Sequence, residues 1–356
     1  MQEIIVEPIK VLIVDDSAVV RLGIRKMLAT DPDLQVVGEA SNGIEALAQR
    51  ARLNPDIVTM DVNMPGMNGL ETTAQIMSSN PVPILIVTDL DTANLAFEAI
   101  SHGALDLLGK AEMNPENIHQ FIRKIKLLSQ IRVIRHIPAH RQPSELPTPS
   151  DPMSGGHAMD WIIAVASSTG GPKALITLIN TLGSDWRTPI VVAQHIHSDF
   201  IPKLVEWLES VTPLVVCVAS DQQRLLPGHV YLSPADRNLE ISSQGRAVLT
   251  PHNPKEIYRP SCNALLASVT RRYGMQSVGV ILTGMGDDGV EGAKAIKAVG
   301  GHVLVQDEAT CAVYGMPLAA QKAGCTDHVL PIQEIGLKIR AIIDRRRMPR
   351  PLPGQG

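Results

Sequence analysis

Short apolar runs alternate with amphipathic stretches along the first 135 residues. Lys10–Val14, Gln35–Val37, Asp56–Met60, Pro83–Thr88 and Leu105–Leu108 are short and apolar enough to predict strands. Ser17–Ala29, Gly43–Leu53, Gly69–Ser78, Thr92–Ser101 and Asn114–Ile134 space their apolar residues as helices do. Five β-α repeats predict a parallel sheet with helices on both faces. In such a sheet the chemistry lies beyond the C-terminal ends of the strands.

The alternation stops at His136–Ala158, which reads HIPAHRQPSELPTPSDPMSGGHA. Five prolines and a Ser-Gly-Gly run exclude a helix or a central strand, and they predict an interdomain linker. The pattern then resumes. Trp161–Ala166, Ile190–Ala193, Leu214–Val218, His229–Leu232, Val278–Leu282 and His302–Val305 predict strands. Pro172–Leu182, Phe200–Val211, Ser261–Tyr273 and Val290–Val299 predict helices. The chain therefore divides into an α/β domain at 1–135, a linker at 136–158, a second α/β domain at 159–345 and a frayed tail at 346–356.

Composition narrows the function classes. With 44% hydrophobic and 19% charged residues over 356 positions, the chain carries enough apolar surface for two cores. A net charge of -4 disfavours a nucleic-acid binder, and 3% aromatic residues disfavour a base-stacking platform. Cys217, Cys262, Cys311 and Cys325 form no C-x-x-C pair, which argues against a zinc site and a disulfide scaffold and fits a reducing cytoplasm. No apolar run has the length of a membrane span, and the acidic start lacks a signal-peptide pattern.

Carboxylates mark the first candidate site. One predicted strand runs into Asp15-Asp16 and another into Asp61. Inner parallel strands bring these three acids to one sheet edge, where they repel unless a hard cation such as Mg²⁺ joins them. Thr88 ends the fourth strand with a hydroxyl for a phosphoryl oxygen, and Lys110 follows the fifth with a positive charge. VLIVDDSAVVR, MDVNMPGMNGLE, Thr88 and Lys110 together resemble the receiver domain of two-component response regulators, over about Ile9 to Ile134. The resemblance implies a flavodoxin-like five-stranded sheet and phosphorylation of Asp61 by a histidine kinase. It also implies Mg²⁺ held by Asp15, Asp16, Asp61 and the backbone carbonyl of Asn63. One departure is Ala111, where receivers usually carry a proline after the lysine.

The second candidate site is a strand that runs straight into Ser167-Ser168-Thr169-Gly170-Gly171-Pro172 and a helix. A serine there stands beside free backbone amides able to stabilise an oxyanion, although the same residues also suit a plain helix cap. A serine nucleophile needs a base, and either His195 or His197 at the next strand end is available. The imidazole needs a carboxylate, and either Asp287 or Asp288 follows the strand Val278–Leu282. A His-x-His metal site and a dinucleotide fingerprint at Gly284-x-Gly286-x-x-Gly289, with Asp307 and Glu308 beyond it, are competing readings. Against the fingerprint, it lies late in the domain and an aspartate pair inside the loop repels pyrophosphate.

Ser-Thr-Gly-Gly-Pro, Gln-His, Leu-Thr-Gly-Met-Gly-x-Asp-Gly, Gln306-Asp307-Glu308 and Tyr314-Gly315-Met316-Pro317 resemble the catalytic domain of chemotaxis protein-glutamate methylesterases, the CheB family, over about Asp160 to Ile343. The resemblance implies a doubly wound α/β domain in which Ser168 is the nucleophile, His195 the base and Asp288 the orienting carboxylate. Thr169 and Met285 fall in the oxyanion region. It further implies hydrolysis of glutamyl γ-methyl esters, deamidation of glutamine, and no cofactor for either. The implied partners are a CheA-like kinase as phosphodonor and methyl-accepting receptors as substrate, with no nucleic acid and no membrane insertion. The unphosphorylated receiver would cover the Ser168 cleft. Departures are Ile196-His197 for Met-Pro, Asn263 for Asp and Ser167 for Ala. An NAD-dependent enzyme and a non-catalytic phospho-switched adaptor are the alternatives.

Overall fold

The structure, a computed structural model, describes residues 7–131, 133, 161–253 and 258–347. The expected linker at 136–158 lies outside the described residues, as do positions 348–356 of the expected tail. The described residues fall into two compact units.

The first unit holds β1 (Ile9–Val14), α1 (Ala18–Leu28), β2 (Leu34–Ala40), α2 (Gly43–Leu53), β3 (Ile57–Met60), α3 (Gly69–Ser79), β4 (Ile84–Thr88), α4 (Ala93–Ser101), β5 (Asp106–Gly109) and α5 (Ile118–Ser129). Its five strands are ordered β2-β1-β3-β4-β5 and every pair is parallel. Val11–Val14 and Ile84–Val87 are buried, as near-continuous apolar strands must be when helices cover both faces. Local chemistry sets the helix starts. Ser17 accepts the Val20 amide, and Asn68 with Glu71 forms a capping box on α3. The helix expected from Asn114 begins only at Ile118, because the Asn114 side chain accepts the Glu116 and Asn117 amides and holds a turn there.

The second unit holds β6 (Ile162–Ser167), α6 (Gly171–Leu182), β7 (Ile190–Gln194), α7 (Ile201–Val211), β8 (Val215–Val218), β9 (His229–Leu232), β10 (Asn238–Ile241), β11 (Ala247–Thr250), α8 (Cys262–Tyr273), β12 (Ser277–Ile281), α9 (Val290–Ala298), β13 (His302–Gln306), α10 (Met316–Lys322), β14 (His328–Leu330) and α11 (Ile332–Arg347). Seven strands form one parallel sheet ordered β14-β13-β12-β6-β7-β9-β8. From β6 the chain builds outward to β8, then returns to build β12, β13 and β14 on the other side. The reversal between β6 and β12 opens a crevice at their C-terminal ends. Helix α6 starts on Gly170, whose φ of +77° suits glycine, with Pro172 in the first turn. Its apolar face of Ala174, Leu175, Leu178, Ile179 and Leu182 is buried as the periodicity predicts.

Five elements of this unit were not expected: the antiparallel pair β10–β11, strand β14 and helices α10 and α11. Helix α11 also runs through Arg347, so the expected tail at 346–356 starts two residues too early. Among the described residues no helix is long and apolar enough to cross a membrane.

Candidate functional sites

The acidic site is built at the reversal of the first sheet, between β1 and β3. Val14 pairs with Met60, so the next residues, Asp15 and Asp61, leave the sheet side by side. Their carboxylates and that of Asp16 offer ligand atoms within 4.8 Å of one another. Lys110 Nζ stands 3.0 Å from Asp15 Oδ2 and 3.0 Å from Asp61 Oδ2, despite the trans link to Ala111. Asp15 Oδ2 is buried and accepts no aligned hydrogen bond, although it lies within ion-pair distance of that ammonium. Burial pushes the Asp61 carboxyl up. Lys110 pulls it back only in part, and the Asp15 charge adds to the rise. One ammonium shared by two buried carboxylates leaves negative charge in excess. An all-oxygen set that carries more negative charge than its one ammonium balances fits a hard divalent cation. Asn63, at the lip, donates its amide to Asp61 Oδ1 at 3.4 Å. Thr88 is buried, and its hydroxyl bonds the hydroxyl of Thr92 at 2.6 Å, a partner not foreseen.

The second site gathers the loops after β6, β7 and β12. Ser167 pairs with Gln194 in register, so Ser168 and His195 leave neighbouring strands at the same level. The two serines separate cleanly. Ser167 is fully buried and donates to Gln194 Oε1 at 2.7 Å. Ser168 is partly exposed, and its hydroxyl enters no hydrogen bond among the described residues. Close approach explains the glycines: a Cβ on Gly284 would stand 2.4 Å from Met316 Sδ and 2.7 Å from Ser168 Cβ. Thr283 straps the loops together by donating to Thr169 O at 2.9 Å and accepting the Val313 amide at 2.8 Å. The amides of Thr169 and Met285 donate to no acceptor among the described residues.

Of the two histidines, His195 meets a carboxylate: its Nε2 lies 2.9 Å from Asp288 Oδ2. His197 turns outward and accepts the Asp199 amide. Asp287 is exposed, whereas Asp288 is buried and also accepts the amides of Cys262 at 2.7 Å and Asn263 at 2.9 Å. Burial alone would raise the Asp288 carboxyl, but His195 and the two amides outweigh it and hold the group below the usual carboxylate range. With Nε2 turned to Asp288, Nδ1 of His195 is the nitrogen left to accept a proton.

Three surrounding residues were given no role in the site by the sequence reading. Tyr258 stacks on His195 with ring centroids 5.3 Å apart and planes 2° from parallel. Cys262 brings its Sγ to 3.4 Å from His195 Nε2. Asn263, where an aspartate was expected from the resemblance, accepts the amides of Gly289 and Gly292 at 3.0 Å each. That cap occupies the helix N-terminus which a dinucleotide pyrophosphate would need, so the loop Gly284–Gly289 does not serve the fingerprint reading.

Comparisons with known proteins show the family of each unit. The family model described as CheB methylesterase matches residues 163–339, and the response regulator receiver domain matches 11–123. A protein-glutamate methylesterase/protein-glutamine glutaminase of Geobacter metallireducens is 41% identical over 337 residues, covering 92% of this chain and 96% of its own. One of the same name from Paramagnetospirillum magneticum is 40% identical over 340 residues, covering 94% and 96%. The crystal structure of the Thermotoga maritima CheB methylesterase catalytic domain covers 51% of this chain and 98% of its own, at 36% identity and a TM-score of 0.50.

Proposed function

The chain belongs to the CheB methylesterase family, and from that premise we propose how its own residues perform and regulate the hydrolysis. It is a protein-glutamate methylesterase/protein-glutamine glutaminase joined to a receiver domain. The hydrogen bond that His195 donates to buried Asp288, in the same loop cluster as the unbonded hydroxyl of Ser168, is the observation that carries the mechanism.

Ser168 Oγ attacks the carbonyl carbon of a glutamyl γ-methyl ester, and His195 Nδ1 takes its proton. The amides of Thr169 and Met285 receive the negative charge that develops on the carbonyl oxygen. The imidazolium returns its proton to departing methanol, or to ammonia when the substrate is a glutamine. Water, deprotonated by the same imidazole, then releases glutamate from the acyl-enzyme. Asp288 stays ionised throughout, fixing the tautomer and stabilising the imidazolium.

The receiver supplies the control. A histidine kinase of a chemotaxis-type pathway donates a phosphoryl group to Asp61. Asp15, Asp16, Asp61 and the carbonyl of Asn63 would hold Mg²⁺, which neutralises phosphoryl charge when bound. Thr88 exchanges its Thr92 partner for a phosphoryl oxygen, and Lys110 pairs with the added charge. These local changes bias a two-state element that frees the esterase. The substrates are methyl-accepting receptors, met at their cytoplasmic side.

The test is methanol release from methylated receptor membranes, with and without a small phosphodonor plus Mg²⁺. Release that rises with the phosphodonor supports both sites and their coupling. Release without stimulation retains the esterase and refutes the control. No release in either condition refutes the reading.

A further inference from the structure

Among the described residues two side-chain clusters have the donor types and spacing of a cation site. One is the all-oxygen group around Asp61. The other is His195, Cys262 and Asp288, whose ligand atoms also lie within 4.8 Å of one another. The geometry points to an inhibitory site for a thiophilic divalent cation, Zn²⁺ or Cd²⁺, made of His195 Nε2, Cys262 Sγ and Asp288 Oδ2.

The donor chemistry selects the metal. Imidazole, thiolate and carboxylate suit zinc and cadmium, whereas Mg²⁺ prefers oxygen alone. The geometry is close to what zinc needs. At the usual bond lengths, tetrahedral ligands stand about 3.3–3.6 Å apart. The Sγ–Nε2 separation of 3.4 Å lies in that range, and the Nε2–Oδ2 separation of 2.9 Å has to open by a few tenths of an ångström. The three donors come from different elements: the loop after β7, the start of α8 and the loop before α9. The carboxylate is already held in place, since the amides of Cys262 and Asn263 bind the two oxygens of Asp288. A neutral imidazole, one thiolate and one carboxylate match the charge of a divalent ion, with a fourth position left to water.

Binding would stop catalysis through proton placement, a consequence that rests on the role proposed for His195. In the metal-free site the Cys262 thiol donates to Ala193 O, and the imidazole proton lies on Nε2 toward Asp288. Metal binding releases the thiol proton to solvent and shifts the imidazole proton from Nε2 to Nδ1. Nδ1 then carries a hydrogen and cannot accept the proton of Ser168. The carboxylate simultaneously exchanges the imidazole for the metal.

The full-length protein is titrated with Cd²⁺ in excess Mg²⁺, which occupies the oxygen cluster. The readout is the ultraviolet thiolate-to-cadmium charge-transfer band. One equivalent should raise the band in the wild type, and both C262A and C262S should lose it. No band in the wild type, or a band that survives in both variants, overturns the site. In parallel, Zn²⁺ should inhibit methanol release reversibly toward a chelator. Each variant, compared with its own uninhibited rate, should need about tenfold more Zn²⁺ or worse. A band that depends on Cys262 without inhibition overturns the proton-placement argument. A protein that releases no methanol but shows the band supports the site while the esterase reading fails separately.

Discussion

Asp61 and Asp288 both lie beyond strand ends at the reversal of their sheets and carry opposite electrostatics. Each follows a strand at the reversal of its sheet, β1 against β3 in one unit and β6 against β12 in the other. Each is 2% exposed. Burial penalises both charges equally well, so burial does not decide their fate. Asp288 receives three donors, from His195, Cys262 and Asn263, and is pushed down. Asp61 shares one ammonium with Asp15, whose own charge repels it, and is pushed up. Three aimed donors make a permanent anion that orients an imidazole. A carboxylate in excess over its counter-charge invites a cation, and its neutral derivatives are relieved of repulsion.

The widest separation between the two sites is chemical. In the proposed mechanism the Asp288 site serves a nucleophile, and S168A should lower methanol release by about 10⁶-fold, as removal of a triad serine does elsewhere. S167A should retain turnover, because that hydroxyl is committed to Gln194. Reversal of this pair, with S167A inert and S168A active, would move the nucleophile one residue and take His195 out of reach of the argument.

Next comes Asp288 itself. D288N should lower kcat by about 10⁴-fold by presenting an amide to Nε2 and favouring the wrong tautomer. It also breaks the comparison open through stability. A depressed folded-state pKa gives stability that is present above the unfolded value of 3.8 and lost as pH falls through the folded value. D288N should therefore unfold at lower temperature than the wild type at pH 7, and the gap should narrow only below about pH 4.

Asp61 should behave the other way. Its raised folded-state pKa means that ionisation costs stability as pH rises from 3.8 through the folded value. In Mg²⁺-free buffer at pH 7, D61N should be more stable than the wild type, read as a higher Tm. At pH 3 that advantage should vanish. The ratio of methanol release with and without phosphodonor should fall to about one in the same variant. Tm shifts of one sign in both aspartate variants would mean that burial, not the donor count, sets these carboxylates.

The sequence carried both sheets and the ends of their central strands, because buried parallel strands are nearly pure apolar runs. VLIVDD and the run into Ser-Ser-Thr-Gly-Gly-Pro are visible without any tertiary knowledge. Strands β10, β11 and β14 went unread although β8 and β9 are no longer than four residues, so length alone does not explain the omission. Helix α11 did carry a signal, with Ile335, Ile339 and Ile343 four apart and all buried, diluted by Gly336 and a basic end. Spacing alone did not choose between Ser167 and Ser168, or His195 and His197, since adjacent or alternate positions differ only in what other loops offer them; the motif resemblance made the choice of Ser168 and His195. Cys262 meets His195 across 67 positions, and no local pattern announces it.

The smallest effect tests how Asp288 is held. Gly289 begins α9 with φ of +111°, a conformation that excludes a capping serine or aspartate there. The missing cap oxygen arrives from α8, where Asn263 Oδ1 accepts the amides of Gly289 and Gly292 while its own amide donates to Asp288. One residue thus ties the helix after the carboxylate to the carboxylate itself. N263A removes the cap and leaves the amide, so it should cost about 1–2 kcal/mol and a few degrees of Tm. N263D keeps an acceptor and gains from the helix dipole, yet it sets a second carboxylate beside Asp288. Its stability should therefore stay within about 1 kcal/mol of the wild type. An N263A loss in turnover as deep as that of D288N would show that the cap, rather than the three donors, keeps Asp288 in register with His195.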